Sequence, residues 1–219
     1  MTAPPVTAAD APKFGPGFRA ELDHLMQWRR DLRGFRPDPV PAEALATGLR
    51  AFALAPPVGL SEPWRLVRLD SAAARAAALT NFESANAQAL AGYSGDKAAD
   101  YARLKLSGMR DAPVQLAVFC DESTAKGAGL GARTMPQMRA YSCVAAIAGF
   151  WLSLRAQGLG LGWVSILDPA ALGREMNVPD CWHLIAYLCI GWPETSDDRP
   201  ELERLAWEDR KGLLNMELR

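Results

Sequence analysis

Histidine is nearly absent: His24 and His183 are the only two in 219 residues. The four cysteines, Cys120, Cys143, Cys181 and Cys189, include no C-x-x-C pair, so no zinc-type ligand set can be written and no metal site is expected. Two histidines also leave little choice of base for a Ser-His-Asp arrangement. His24 falls in an amphipathic helical pattern and His183 in an apolar run, where both read as structural. Long apolar runs are missing as well: the longest, Cys143 to Leu152, is about half of the ~20 residues that a bilayer span needs. Nor is there an excess of one charge, with 24 basic against 25 acidic residues. That balance argues against a protein held by bulk charge to nucleic acid or anionic lipid. No Gly-Lys-Ser/Thr phosphate loop occurs. The N-terminus has neither a basic start nor an apolar run, so no secretory signal is read and the expected setting is cytoplasmic.

What is present describes an ordinary globular chain, 49% hydrophobic and 22% charged. Pro4, Pro5, Pro12 and Pro16 with Gly15 and Gly17 predict a flexible N-terminal arm over 1–17. Phe18, Leu22, Leu25 and Met26 recur at helical spacing, predicting a helix that runs through Arg29-Arg30-Asp31-Leu32-Arg33 to Gly34. Leu45, Leu49 and Phe52 mark a second helix, ended by Pro56-Pro57. Ser71 caps a long Ala-rich helix to about Gly92, and another is predicted from Asp96 to Met109. Thr134 and Gln137 have capping-box spacing before a helix that is apolar all round and therefore central. Asp168-Pro169 opens a short helix. Strands are predicted at Trp64–Leu69, Val114–Cys120, Leu161–Leu167 and Trp182–Ile190, the last buried on both faces. About six helices and four strands in uneven alternation imply an α+β fold: a single domain over 18–192 with a polar C-terminal arm over 193–219.

Two motifs fail on physical grounds. Gly127-Ala128-Gly129-Leu130-Gly131-Ala132 fits a dinucleotide fingerprint in letters, but it does not directly follow a strand and no acid follows until Asp168. It reads as a mobile surface loop. Gly59-Leu60-Ser61-Glu62-Pro63 puts proline where a nucleophile elbow needs a permissive residue.

Three weaker signals remain. Arg29, Arg30, Arg33 and Arg36 form a cluster suited to phosphate, because guanidinium forks match its oxygens. The bland alternative is a solvated helix end, its cations beside the C-terminal dipole. Ala55 to Trp64 is a rigid polar loop into a strand, or simply a connector. Gly158-Leu159-Gly160-Leu161-Gly162 either lets backbone approach a flat ligand or serves as helix C-cap and packing.

In this order and spacing the three resemble the FMN-dependent nitroreductase-like superfamily. Arg29-Arg30-Asp31-Leu32-Arg33-Gly34-Phe35, Glu62-Pro63-Trp64 and Gly158-Leu159-Gly160 stand at its three motifs. Asp31, Val58–Ser61, Tyr101–Leu106, Ala117–Asp121, Thr134–Pro136, Gly162–Pro169 and Tyr187–Pro193 resemble its 5,6-dimethylbenzimidazole-forming branch more closely. Glu62 in place of a usual Gln and Pro57 in place of a usual Ser are departures. The resemblance implies a mixed, mostly antiparallel sheet packed with helices, in a homodimer with swapped arms. It implies an oxidoreductase that consumes reduced FMN and O2 and fragments the flavin, making the lower ligand of vitamin B12. Reduced FMN is then a substrate, supplied by a separate NAD(P)H–flavin reductase. Arg29, Arg30 and Arg33, helped by Arg210, are implied at the phosphate and ribityl tail, and Ser61 and Lys105 as further flavin ligands, Lys105 at the pyrimidine edge. Ser165 is implied near flavin N5 and Asp31 as the acid–base residue, kept ionised by its arginine neighbours. A conventional NAD(P)H-dependent nitroreductase or flavin reductase, and a non-catalytic flavin-binding protein, are the rival readings.

Overall fold

Alternation builds the centre of the molecule. The computed structural model describes residues 11–104, 108–212 and 214–219. Strands β1 (Trp64–Arg68), β2 (Val114–Asp121), β3 (Gly160–Val164) and β4 (Trp182–Gly191) form one sheet in the order β1-β2-β4-β3. All three pairings are antiparallel, with an irregularity between Val118 and Phe119. Successive side chains of a strand point to opposite faces, so one sheet can serve two cores. Val114, Leu116 and Val118 of β2, with Ala186, Leu188 and Ile190 of β4, pack on Phe52, Ile147, Phe150 and Leu154. Ala117, Phe119, Tyr187 and Cys189 enter the opposite core with Phe82, Met109 and Leu172. The first core is covered by α2 (Ala42–Leu54) and α6 (Met138–Ala156); the second by α3 (Ala72–Ala91), α5 (Gly108–Asp111) and α7 (Pro169–Glu175).

Several expectations are corrected. Helix α1 (Pro16–Trp28) stops before the arginine cluster, because Arg29 is already extended at φ −73, ψ 112. Arg29, as C-cap, stands at the helix end, and Arg30, Arg33 and Arg36 lie beyond it. The segment predicted as one helix over 96–109 contains α4 (Gly95–Arg103) and the separate α5. No capping box forms at α6: Thr134 Oγ1 donates to the Gly131 carbonyl and Gln137 makes no side-chain cap. Ser71 does cap α3, accepting from Ala74 N. Strand β2 is buried along its whole length, whereas β4 is buried only from Ala186 onward. Nor is α6 buried all round, since Tyr141 and Val144 are 55% and 42% exposed. The Gly127–Ala132 loop is docked rather than free: a Cβ on Gly127 would lie 2.3 Å from the Gly59 carbonyl.

The C-terminal residues 193–207 make contacts with the body of their own chain. Glu194 N donates to Gly34 O, Arg30 Nε to Asp198 O at 3.1 Å, and Lys97 Nζ to Trp207 O at 2.9 Å. Short helix α8 (Glu201–Arg204) lies within this stretch, and beyond it Leu214, Met216 and Leu218 are exposed. Among the described residues, no helix is long and apolar enough to cross a membrane.

Candidate active site

The edge of β3 decides where the cluster goes. Leu32 N donates to the Leu161 carbonyl at 3.1 Å, and Asp31 bridges Leu161 in parallel register. Asp31 Oδ1 accepts from Trp163 N at 2.8 Å, so a carboxylate stands in for the next ladder carbonyl. The Asp31 bridge is the sheet's one parallel feature among the described residues. A Cβ on Gly162 would lie 2.1 Å from the Leu32 carbonyl, and one on Gly160 would lie 2.0 Å from Leu32 Cδ1. Gly162 thus admits the backbone of this chain's own residue 32 and Gly160 the Leu32 side chain, while Gly158 turns the chain after α6 at φ +80. The packing alternative holds for that motif. Gly162→Ala is expected to push residues 31–33 off the edge at a cost of ~1–3 kcal/mol, read as a lowered urea midpoint at unchanged slope.

An extended 31–33 segment puts Asp31 and Arg33 on one side, which a helix would not do. Both line two adjoining cavities. One, of about 150 Å³, is completed by Phe82, Met109, Trp163, Ser165 and Ile166. The other, of about 280 Å³, is completed by Arg30, Glu194, Asp197, Arg199, Glu201 and Arg204. Asp31 and Arg33 form the wall between a mostly apolar chamber ending in Ser165 and a chamber with four guanidinium groups. Arg204 and Arg199 pair with Asp197 at 3.3 and 4.0 Å.

Burial pushes the Asp31 carboxyl above the ordinary carboxylate range. The Trp163 N–H and the guanidinium groups of Arg33 and Arg29 oppose that shift, and Glu201 adds to it. Water reaches Asp31 through the mouth of the cleft, yet protein atoms crowd it on the remaining sides, and the crowding outweighs the arginines. The arginine neighbours expected to keep it ionised do act in that direction, but burial is the larger influence. Burial likewise pushes the Cys189 thiol, behind Gly108, up to about 12. Cys120 is raised by its hydrogen bond with Cys143 and by burial, so these thiols are inert core groups.

The other sequence candidates are dispersed. Arg29 lines neither chamber; its guanidinium lies 4.8 Å from the centre of the Trp151 ring. Arg30 donates to the Asp198 carbonyl through Nε and Nη2. Burial lowers its pKa, as do the nearby charges of Arg210 and Arg29. Arg210 is exposed and pairs with Glu203 at 3.8 Å. Ser61 is buried on the 58–61 turn beside the 127–131 loop, and its Oγ meets no hydrogen-bond partner among the described residues. Glu62 pairs with Lys126, and Pro57 precedes the 58–60 turn. Lys105 lies outside the described residues. His24 rests edge-on to Trp28 at 6.0 Å, and His183 is a surface residue 3.9 Å from Glu122. Among the described residues no cluster of three His, Cys, Asp or Glu could hold a metal. The sequence reading missed Arg199 and Arg204, which sit in a tail too uniformly charged to single them out, and Phe82 and Met109, which look like any core residue.

A two-core α+β sandwich with an arginine-lined cleft at the edge of its sheet defines a class, and the chain belongs to the nitroreductase family, whose sequence profile matches residues 26–192. Among proteins of known activity, it is 52% identical over 200 residues to a 5,6-dimethylbenzimidazole synthase of Rhodospirillum rubrum, covering 91% of this chain and 95% of that one. It is 48% identical over 197 residues to a 5,6-dimethylbenzimidazole synthase of Rhodobacter capsulatus, covering 90% and 95%. Among solved structures, oxidized iodotyrosine deiodinase bound to FMN and 3-iodo-L-tyrosine superimposes with a TM-score of 0.71 at 20% identity, over 89% of this chain and 97% of that one. A Lactococcus lactis nitroreductase in complex with nicotinic acid gives a TM-score of 0.62 at 20% identity, over 80% and 90%.

Proposed function

We propose that the protein is a 5,6-dimethylbenzimidazole synthase that fragments reduced FMN in the presence of O2. The observation that carries this reading is Asp31 on the wall between a guanidinium chamber and the chamber of Ser165. When bound, reduced FMN supplies the electrons that reduce O2 and the ring that becomes the benzimidazole. The donor set suits such a molecule, with cations for its phosphate, a carboxylate beside the ribityl chain and an apolar slot for its ring.

Arg30 and Arg33, with Arg199 and Arg204 released from Asp197, bind the phosphate. Arg29 and Arg210 add charge at that end. One oxygen of Asp31 is held by Trp163, which fixes the carboxylate and leaves the other oxygen to take a proton from the ribityl chain. A carboxyl raised by burial is a stronger base than an ordinary one. The Ser165 hydroxyl donates to or accepts from the flavin at N5, and Lys105 supplies positive charge at the pyrimidine edge. A separate NAD(P)H–flavin reductase supplies reduced FMN, and the protein works in the cytoplasm.

The ring chamber, about 150 Å³, falls below the ~300 Å³ of the smallest usual ligand pockets. A second copy of the chain completes it. The exposed apolar residues Tyr141 and Val144 on α6 and Phe18, Leu22 and Met26 on α1 offer the surface for that copy. Ser61 reaches neither chamber of its own chain, and with its hydroxyl buried it would bear on the partner's flavin only as part of the 58–61 turn. Sedimentation at micromolar concentration is expected to give a homodimer, and a monomer that retains FMN would overturn this.

Function is tested by supplying enzymatically reduced FMN in air and seeking 5,6-dimethylbenzimidazole by mass spectrometry. Oxidation of NAD(P)H by the protein alone, without the benzimidazole, would make it a conventional flavin reductase.

A further inference from the structure

Asn81 is a buried amide in the middle of α3, 8% exposed, and both ends of its side chain are engaged by one residue. Its Nδ2 donates to the Asp168 carbonyl at 3.0 Å, and its Oδ1 accepts from Asp168 N at 2.8 Å. A side-chain amide carries the donor and acceptor of a peptide unit, so Asn81 pairs with Asp168 as a neighbouring strand would. Asparagine is a weaker helix former than the alanines that fill α3, so the helix itself does not call for it. Asp168 is fixed on its other side as well. Its Oδ1 accepts from Ala170 N and Ala171 N, which caps α7, and Leu172 N donates to its carbonyl at 3.1 Å. The start of α7 is thereby locked to α3.

The segment that runs into this lock carries Ser165. Strand β3 ends at Val164, so Ser165, Ile166 and Leu167 lie beyond its ladder with β4. Ile166 and Leu167 pack on the second core, but apolar contacts are non-directional and do not fix where a neighbouring hydroxyl points. Direction comes from two anchors, the sheet at Val164 and Asn81 at Asp168. Three residues of chain, at most ~11 Å, separate Ser165 from the second anchor. Phe82, which follows Asn81 on α3, walls the ring chamber together with Ser165 and Ile166. One amide therefore sets how two walls of that chamber stand to each other. Asn81 itself lines neither chamber.

We propose that Asn81 is a positioning residue that clamps the 165–168 segment to α3 and so aims the Ser165 hydroxyl into the ring chamber. The role in benzimidazole formation rests on the reading of Ser165 at the flavin; the clamp does not. Without the amide, the segment keeps its apolar seat but loses its second anchor, and the hydroxyl spends less time in register with the flavin. The phosphate end of the cleft is built from other elements, so flavin affinity should hardly change.

The test has two parts. Amide hydrogen exchange at Asp168 N, in flavin-free protein, is expected to be about tenfold faster in Asn81→Ala, while exchange in β2 stays unchanged and reports an intact fold. Asn81→Ser, which also loses the paired bonds but fills part of the space, carries the same measurements where the alanine variant does not fold. The second part scores benzimidazole formed per O2 consumed in wild type, Asn81→Ala, Ser165→Ala and the double variant. Asn81→Ala is expected to lower that share about tenfold, with reduced-FMN affinity within about threefold of wild type. In the Ser165→Ala background the same change should cost less than about twofold, because the group it positions is already gone. Exchange at Asp168 N within about twofold of wild type would overturn the clamp. A product share unchanged in Asn81→Ala, or a full tenfold fall repeated in the double variant, would overturn positioning through Ser165. Ser165→Ala indistinguishable from wild type would overturn the reading of Ser165 and the positioning role with it, while exchange at Asp168 would still decide the clamp.

Discussion

Asp31→Asn is expected to bind reduced FMN nearly normally and still consume O2, while benzimidazole formation falls by ~10²–10⁴-fold, the usual worth of a general base. Asparagine keeps the size, and its carbonyl oxygen can still accept from Trp163 N, so the 31–33 segment should stay on the β3 edge. What it loses is the charge and the ability to take a proton. Reduced flavin reacts with O2 without help from a protein base, so the variant should release intact oxidised FMN. A simple binding defect cannot produce that partition. The measurement is one quenched reaction scored for both products at equal oxygen uptake. Benzimidazole within about threefold of wild type would leave Asp31 as an edge-strand carboxylate and nothing more.

The same variant carries a stability signature whose sign follows from the raised carboxyl. A carboxyl whose folded pKa lies above its unfolded value favours the folded state below the unfolded pKa, and that contribution is lost as pH rises through the folded one. At neutral pH the charged Asp31 is therefore a burden on the fold. Asp31→Asn should unfold at a temperature equal to or above wild type at pH 7, with the difference shrinking as the pH falls towards 4. A variant less stable than wild type at pH 7 but not at pH 4 would show that the arginines, not burial, govern this carboxylate.

Arg33→Ala should weaken FMN binding by ~1.5–3 kcal/mol, or about 10- to 100-fold, while riboflavin binding changes little. The expectation rests on Arg33 facing the guanidinium chamber and the ring chamber together with Asp31. Titration of both flavins separates a phosphate contact from general damage to the cleft. Equal losses for FMN and riboflavin would remove Arg33 from the phosphate site. Arg29→Ala is a useful contrast, because its guanidinium lies against Trp151 and should cost less.

By itself, the sequence determined whatever depends on neighbours along the chain. The periodicity of Leu45, Leu49 and Phe52, the Ser71 cap, the Asp168-Pro169 start and three of the four apolar runs are local signals that stand where they were expected, while the third strand, predicted to Leu167, ends at Val164. The motif order, a property of the linear chain, was enough to recognise the nitroreductase family. What the sequence could not give was the conformation of Arg29–Arg33. Its helical spacing runs straight on from α1, and only pairing with the open edge of β3 makes an extended segment preferable. That pairing turns Gly160 and Gly162 from apparent ligand contacts into clearance for Leu32, and it sets Asp31 and Arg33 on the same wall. The direction of the Asp31 shift belongs to tertiary structure too, because desolvation depends on atoms far along the chain. Arg199 and Arg204 reach the cleft only because the chain after Pro193 folds back over Arg30, held by the Asp198 carbonyl. A hydrogen bond between residues so distant in the chain leaves no periodicity to read.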